Sequence, residues 1–138
     1  MQRNRIIKTA QYLNIVNILI TKFNFDSLFK LIFTSFVSFN HEGKIPFSNT
    51  KNNMLEGFFQ QFHYELLVNY KDFGYIFEAI KILQDNQFIE IDGNSIVVKK
   101  EPQYINDVFF SKTNIISVLD NIKQMNEESF VEEVLYNV

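Results

Sequence analysis

The stretch Ile76-Phe77-Glu78-Ala79-Ile80-Lys81-Ile82-Leu83, then Gln84-Asp85-Asn86-Gln87, then Phe88-Ile89-Glu90-Ile91-Asp92-Gly93-Asn94-Ser95-Ile96-Val97-Val98-Lys99, decides the fold. In its first part Phe73, Ile76, Phe77, Ile80 and Leu83 recur at steps of three and four, which puts them on one face of a helix, and Asp72 stands where a cap belongs. The last part changes period. Two β-branched runs, 88–91 and 95–99, flank Asp92-Gly93-Asn94, and glycine tolerates the positive φ that tight hairpin turns require. The reading is a helix followed by a hairpin over 88–99.

Upstream, Tyr12, Leu13, Val16, Leu19, Ile20 and Phe23 have helical spacing within Ile6–Phe23. Asp26 then precedes a second apolar helix, Leu28–Phe39, as its expected N-cap. His41–Asn49 reads as a loop punctuated by Gly43 and Pro46. A third helix, Lys51–Tyr70, carries Met54, Leu55, Phe58, Phe59, Phe62 and Leu66 on one side. Gly57 within it suits close packing. Downstream, Pro102 ends the second strand. Two helices close the chain, Lys112–Met125 and Glu127–Tyr136, the latter capped by Asn126. The expected class is mainly α with a small β-hairpin, organised as one domain. Its parts are an amino-terminal helical part (1–48), a winged-helix-like part (49–101) with the hairpin at 88–99, and carboxy-terminal helices (102–138).

A helix that runs through a short break into a hairpin is the core of a winged helix, and a generic helix-plus-hairpin packing element is the alternative. Leu83-Gln84-Asp85-Asn86-Gln87-Phe88-Ile89-Glu90 resembles the leucine–x–x–x–glycine–isoleucine turn of many winged-helix proteins, with Gln87 where glycine is usual. Winged helices bind DNA or proteins, and charge separates the two. DNA affinity comes largely from phosphate neutralisation, whereas this helix sets Lys71 and Lys81 against Asp72, Glu78 and Asp85. The hairpin tip carries Asp92. Protein binding is favoured.

The 138 residues carry a net charge of −3. Residues 1–69 are at +3, with Arg3, Arg5 and Lys8 at the start, and residues 70–138 are at −6, ending in Glu127, Glu128, Glu132 and Glu133. With no cysteine, disulfides, thiolate metal sites and cysteine nucleophiles are excluded. No uncharged apolar run reaches the roughly 20 residues of a membrane span, and no signal core is visible, so a cytoplasmic location is expected. His41 and His63 lack metal-site spacing, and the four glycines are scattered, so no phosphate-cradling loop can be built. The expectation is of no catalytic, cofactor-binding or metal site. Phenylalanine is abundant, with 16 residues. So many rings are hard to hide in a chain this size, and some are expected to face a partner.

Three stretches carry a family resemblance: Asn14-Ile15-Val16-Asn17-Ile18-Leu19; Phe77-Glu78-Ala79-Ile80-Lys81-Ile82-Leu83 followed by Phe88-Ile89-Glu90; and Glu128-Ser129-Phe130-Val131-Glu132-Glu133-Val134-Leu135. In these and in layout the chain is similar to the small middle component of bacterial ABC-three-component systems, the group that includes Lamassu-type antiphage defence. The resemblance implies a non-catalytic accessory subunit that bridges an SMC-like coiled-coil ATPase and an effector, often a nuclease. It would meet DNA indirectly, through the complex. Phe58, Phe59, Phe62, Phe130, Val131, Glu132, Val134 and Leu135 are the residues expected to dock the partner. The alternative is a winged-helix transcription regulator that holds DNA through Arg3, Arg5, Lys8, Lys99 and Lys100. A third reading is a small inhibitor whose acidic half mimics a nucleic acid.

Overall fold

Helix α1 (Gln2–Thr21) leads through Asn24, in the left-handed region at φ +57°, to α2 (Leu28–Asn40). Helix α3 (Lys51–Asn69) passes through a 3₁₀ turn (Tyr70–Asp72) directly into α4 (Phe73–Asp85). Strands β1 (Ile89–Asp92) and β2 (Ser95–Val98) follow, then α5 (Ile116–Gln124) and α6 (Glu127–Leu135). These elements come from a computed structural model that describes residues 2–40, 51–100, 110 and 115–135. The expected His41–Asn49 loop, Pro102 and the Lys112 end of the penultimate helix lie outside the described residues. The chain is mainly α with one small antiparallel hairpin.

Helix α2 lies at the centre, against α1, α3 and α4, while α1 also packs on α4. Its central place explains why its polar residues are as buried as its apolar ones: Lys30, Thr34, Ser35 and Ser38 are all inside. The Lys30 ammonium is kept in hydrogen bonds there, donating to the carbonyls of Lys123 (2.8 Å) and Met125, where α5 ends, with the Glu127 carboxylate at 3.8 Å. A cation at a helix C-terminus complements the partial negative charge of its free carbonyls. Burial nevertheless pulls the Lys30 pKa below its usual value, against the pull of Glu127 and Asp26. The α5–α6 corner is thereby fastened to α2.

The phenylalanines turn mainly toward one another. Phe33 on α2 meets Phe29 at 4.7 Å, Phe62 of α3 at 4.9 Å and Phe73 of α4 at 5.6 Å between ring centroids, and Phe36 stacks on Phe73 at 4.4 Å. Phe130 of α6 joins through Phe29 and Phe59. Edge-to-face pairs of this kind add about 0.5–1.5 kcal/mol each beyond their area burial. One apolar cluster runs from Tyr12 of α1 to Val134 of α6.

The hairpin register is Ile89 with Val98 through Asp92 with Ser95, leaving Gly93-Asn94 as a two-residue loop. Gly93 has φ +61° and Asn94 does not share the positive φ, the pattern of a type II′ turn. The α4 terminus closes as a Schellman motif: Phe88 N–H donates to Leu83 C=O (2.9 Å) and Gln87 N–H to Gln84 C=O (3.0 Å). Gln87 takes the left-handed position at φ +65°, the conformation that glycine would supply there without strain. Ser27 bridges to Ser95 as a rudimentary third strand. Helices α1, α2 and α4 pack on one another, and α4 runs straight into this hairpin.

Two caps differ from expectation. Ser27, not Asp26, caps α2, accepting from Lys30 N–H through its Oγ (3.2 Å), because the Asp26 carbonyl is taken by Ile96 N–H (2.9 Å). Asp72 makes no side-chain cap on α4. It is buried and accepts from Tyr12 Oη (2.8 Å) and Lys8 Nζ (3.2 Å) instead. Asn126 caps α6 as read from sequence, accepting from Glu128 N–H at 2.8 Å.

Candidate functional site

Helices α2, α3, α4 and α6 do not close completely on one another. Between them lies a cleft of about 450 Å³. Phe62 and Val134 form its floor, Phe29, Ile32, Phe33, Leu66 and Phe73 its walls, and Phe77 and Leu135 its lip. Every one of these side chains is apolar. Phe77 is 54% exposed and Leu135 59% exposed, so both spend apolar surface on water that a partner would cover. Beside Leu66, Leu67 and Tyr70 carry exposed apolar surface on along the α3 end.

Each wall follows from the sequence pattern. On α4 the inward face is Ile76, Ala79, Ile80 and Leu83. Phe73 and Phe77, one turn apart, sit to one side of it and face the cleft. On α6, Phe130 and Val134 point inward, and Leu135 follows one position round. His63 of α3 donates through Nε2 to the Val134 carbonyl (3.0 Å) and so ties α6 to α3 beside the cleft. His63 is therefore a stitch between two walls. His41 lies outside the described residues.

The expected docking residues separate into two groups. Phe58, Phe59, Phe62, Phe130 and Val134 are buried, at 5% exposure or less, and of these Phe62 and Val134 form the cleft floor. An aromatic stripe at helical spacing serves the core before it serves a partner, since each buried ring gains roughly 1.5–3 kcal/mol. Val131, Glu132 and Leu135 remain at the surface. Sequence reasoning placed Phe77 and Leu66 on the apolar faces of their helices, not among the docking residues, and did not select Leu67 or Tyr70. Periodicity marks an apolar face, but not how much of that face the neighbouring helices cover.

The basic residues of the DNA alternative are not brought together. Lys8 lies on α1 at the start of α4, paired with Asp72 at 3.2 Å, and Arg5 lies beside the middle of α4, paired with Glu78 at 2.8 Å. Glu78 raises the Arg5 pKa by hydrogen bond and charge. Lys99 and Lys100 border a recess with Gln84 and Gln87 at the far end of α4, roughly 18 Å along the helix from Asp72 and roughly 9 Å from Glu78. There Lys99 pairs with Glu90 at 2.8 Å and holds that carboxyl below its usual pKa, while Lys100 lies 4.9 Å over the Phe88 ring. The Arg3 side chain lies outside the described residues.

The hairpin tip is also engaged. Asn94 Oδ1 accepts from Phe29 N–H (2.8 Å), its carbonyl accepts from Leu28 N–H (2.8 Å), and its Nδ2 donates to Ser27 Oγ and Glu127 Oε2 (3.2 Å each). The tip that would reach a DNA groove in a winged helix instead caps α2. Among the described residues, no three His, Asp or Glu side chains gather closely enough to hold a metal ion, and no helix is long and apolar enough to cross a membrane. Comparison with known proteins finds no family model, no curated protein and no solved structure that matches this chain.

Proposed function

We propose that this chain is a non-catalytic, protein-binding subunit that receives a partner in the cleft between α2, α3, α4 and α6. The observation that carries this reading is the cleft itself, lined only by apolar side chains and opening between exposed Phe77 and Leu135. The tethered hairpin tip and the separated, acid-paired basic residues weigh against autonomous DNA recognition. The resemblance to the middle component of ABC-three-component systems supplies the partners to seek: an SMC-like coiled-coil ATPase and an effector, in a defence complex that meets DNA through its other subunits.

Affinity capture of the full chain at low salt, beside Phe77→Asp and Leu135→Asp variants, tests this. Both side chains are exposed, so the variants fold. A coiled-coil ATPase recovered in fixed ratio with the parent chain and lost from both variants supports the proposal. Recovery of the chain alone with DNA, unchanged by either substitution, transfers the assignment to a transcription regulator.

A further inference from the structure

We infer that the cleft takes an amphipathic helix of a partner protein, with the helix's basic flank turned toward α6. The inference rests on the docking reading above and names the occupant. Its first support is hydrogen-bond accounting. The lining offers no polar side chain, and its walls are helices, whose interior backbone groups bond to one another. An extended peptide laid there would bury N–H and C=O groups that find no partner. A helix satisfies its own backbone and presents side chains at i, i+3, i+4 and i+7 to an apolar groove.

The second support is charge. Glu128, Val131, Glu132 and Leu135 fall at i, i+3, i+4 and i+7 along α6, so both carboxylates share the side on which Leu135 meets the cleft. Both glutamates are exposed, and α6 contains no lysine or arginine. The facing wall differs: on α4, Glu78 is engaged by Arg5 and Lys81 by Asp85 at 3.7 Å. The field across the cleft is therefore one-sided, and an occupant with lysines or arginines along one flank is held in one orientation.

Three synthetic helical peptides test the inference against the full chain by fluorescence anisotropy. One has a leucine stripe with lysine at the other positions, the second the same stripe with glutamate, and the third the lysine set with serine replacing leucine. The leucine–lysine peptide should bind at least tenfold tighter than either of the others. The combined Glu128→Lys and Glu132→Lys substitution, at exposed sites, should abolish its advantage over the glutamate peptide. Equal binding of both leucine peptides overturns the charge assignment while leaving the docking reading intact. Binding of the serine peptide as tight as that of the leucine–lysine peptide overturns the inference in favour of simple charge attraction. Failure of every peptide overturns the inference, and the capture experiment with Phe77→Asp and Leu135→Asp decides the docking reading separately. Sedimentation of the free chain is the last arm: a dimer dispersed by Phe77→Asp would give the cleft to a second copy and overturn the inference.

Discussion

Tyr12 is fully buried, and its hydroxyl sits between Asn40 Nδ2, which donates to it at 3.0 Å, and Asp72 Oδ2, which accepts from it at 2.8 Å. Burial, then the hydrogen bond to Asp72, holds its pKa far above the usual tyrosine value of 10.0. The folded chain keeps this phenol protonated at alkaline pH, whereas the unfolded chain releases the proton above pH 10. The stability the site contributes is thus complete below pH 10 and falls above it by about 1.4 kcal/mol per pH unit. Tyr12→Phe should cost about 2 kcal/mol at pH 7 through the lost bond to a carboxylate. Its deficit should then close over roughly 1.5 pH units above 10. Urea unfolding of both chains at pH 7, 9, 10.5 and 11.5 checks this, and a constant gap across the series would refute the burial argument. Little of this network was legible in the sequence. Asp72 stands before an apolar helix as a cap would, and only the approach of α1 shows that its carboxylate serves Tyr12 and Lys8. Gln87 is the converse case. The sequence marks it as standing where winged helices place glycine, and its backbone takes glycine's conformation.

Among the elements, the hairpin does more than its sequence announces. Asp92-Gly93 flanked by β-branched runs signals a turn, and the turn forms. That Asn94 also satisfies the first turn of α2 is a contact 65 residues apart in the chain, which no local pattern encodes. Helices α1 to α4 and α6 were legible for the opposite reason, since an amphipathic period is local and strong. Coverage of their faces depends on how four helices meet. The aromatic stripe of α3 therefore pointed to an interface, yet it forms core. Asn94→Ala should destabilise the protein by about 1–2 kcal/mol, as loss of a helix cap does. Hydrogen exchange locates the effect: the Phe29 amide, bonded to the Asn94 side chain, should exchange at least tenfold faster. The Leu28 amide, bonded to the Asn94 backbone carbonyl, should stay protected. Equal acceleration of both would mean that the hairpin has come away as a unit.

Across the whole molecule, the choice between protein and DNA as partner turns on where charge lies in space. A regulator that used Arg3, Arg5, Lys8, Lys99 and Lys100 together would release counterions at each phosphate, with a slope of log K against log salt near −4.5, about 0.9 per contact. The fold opposes that sum. Lys8 flanks one end of α4, Arg5 its middle and Lys99 and Lys100 the other end, and three of these four cations have a carboxylate within 3.2 Å. The two exposed pairs, Arg5–Glu78 and Lys99–Glu90, are worth about 0–1 kcal/mol each, so a phosphate could displace either carboxylate. The displaced carboxylate would stay nearby and repel it, in a chain whose net charge is already −3. The isolated protein should bind a random duplex weakly, with a slope no steeper than about −2, corresponding to some two phosphate contacts. Anisotropy of a labelled duplex between 50 and 200 mM salt, roughly the range over which such slopes are resolved, measures it. A slope near −4.5 that falls by about one unit for each of Lys8→Ala and Lys99→Ala would show that both ends of α4 lie on DNA at once. The hairpin would then have to leave α2, and Asn94→Ala should tighten DNA binding rather than leave it unchanged.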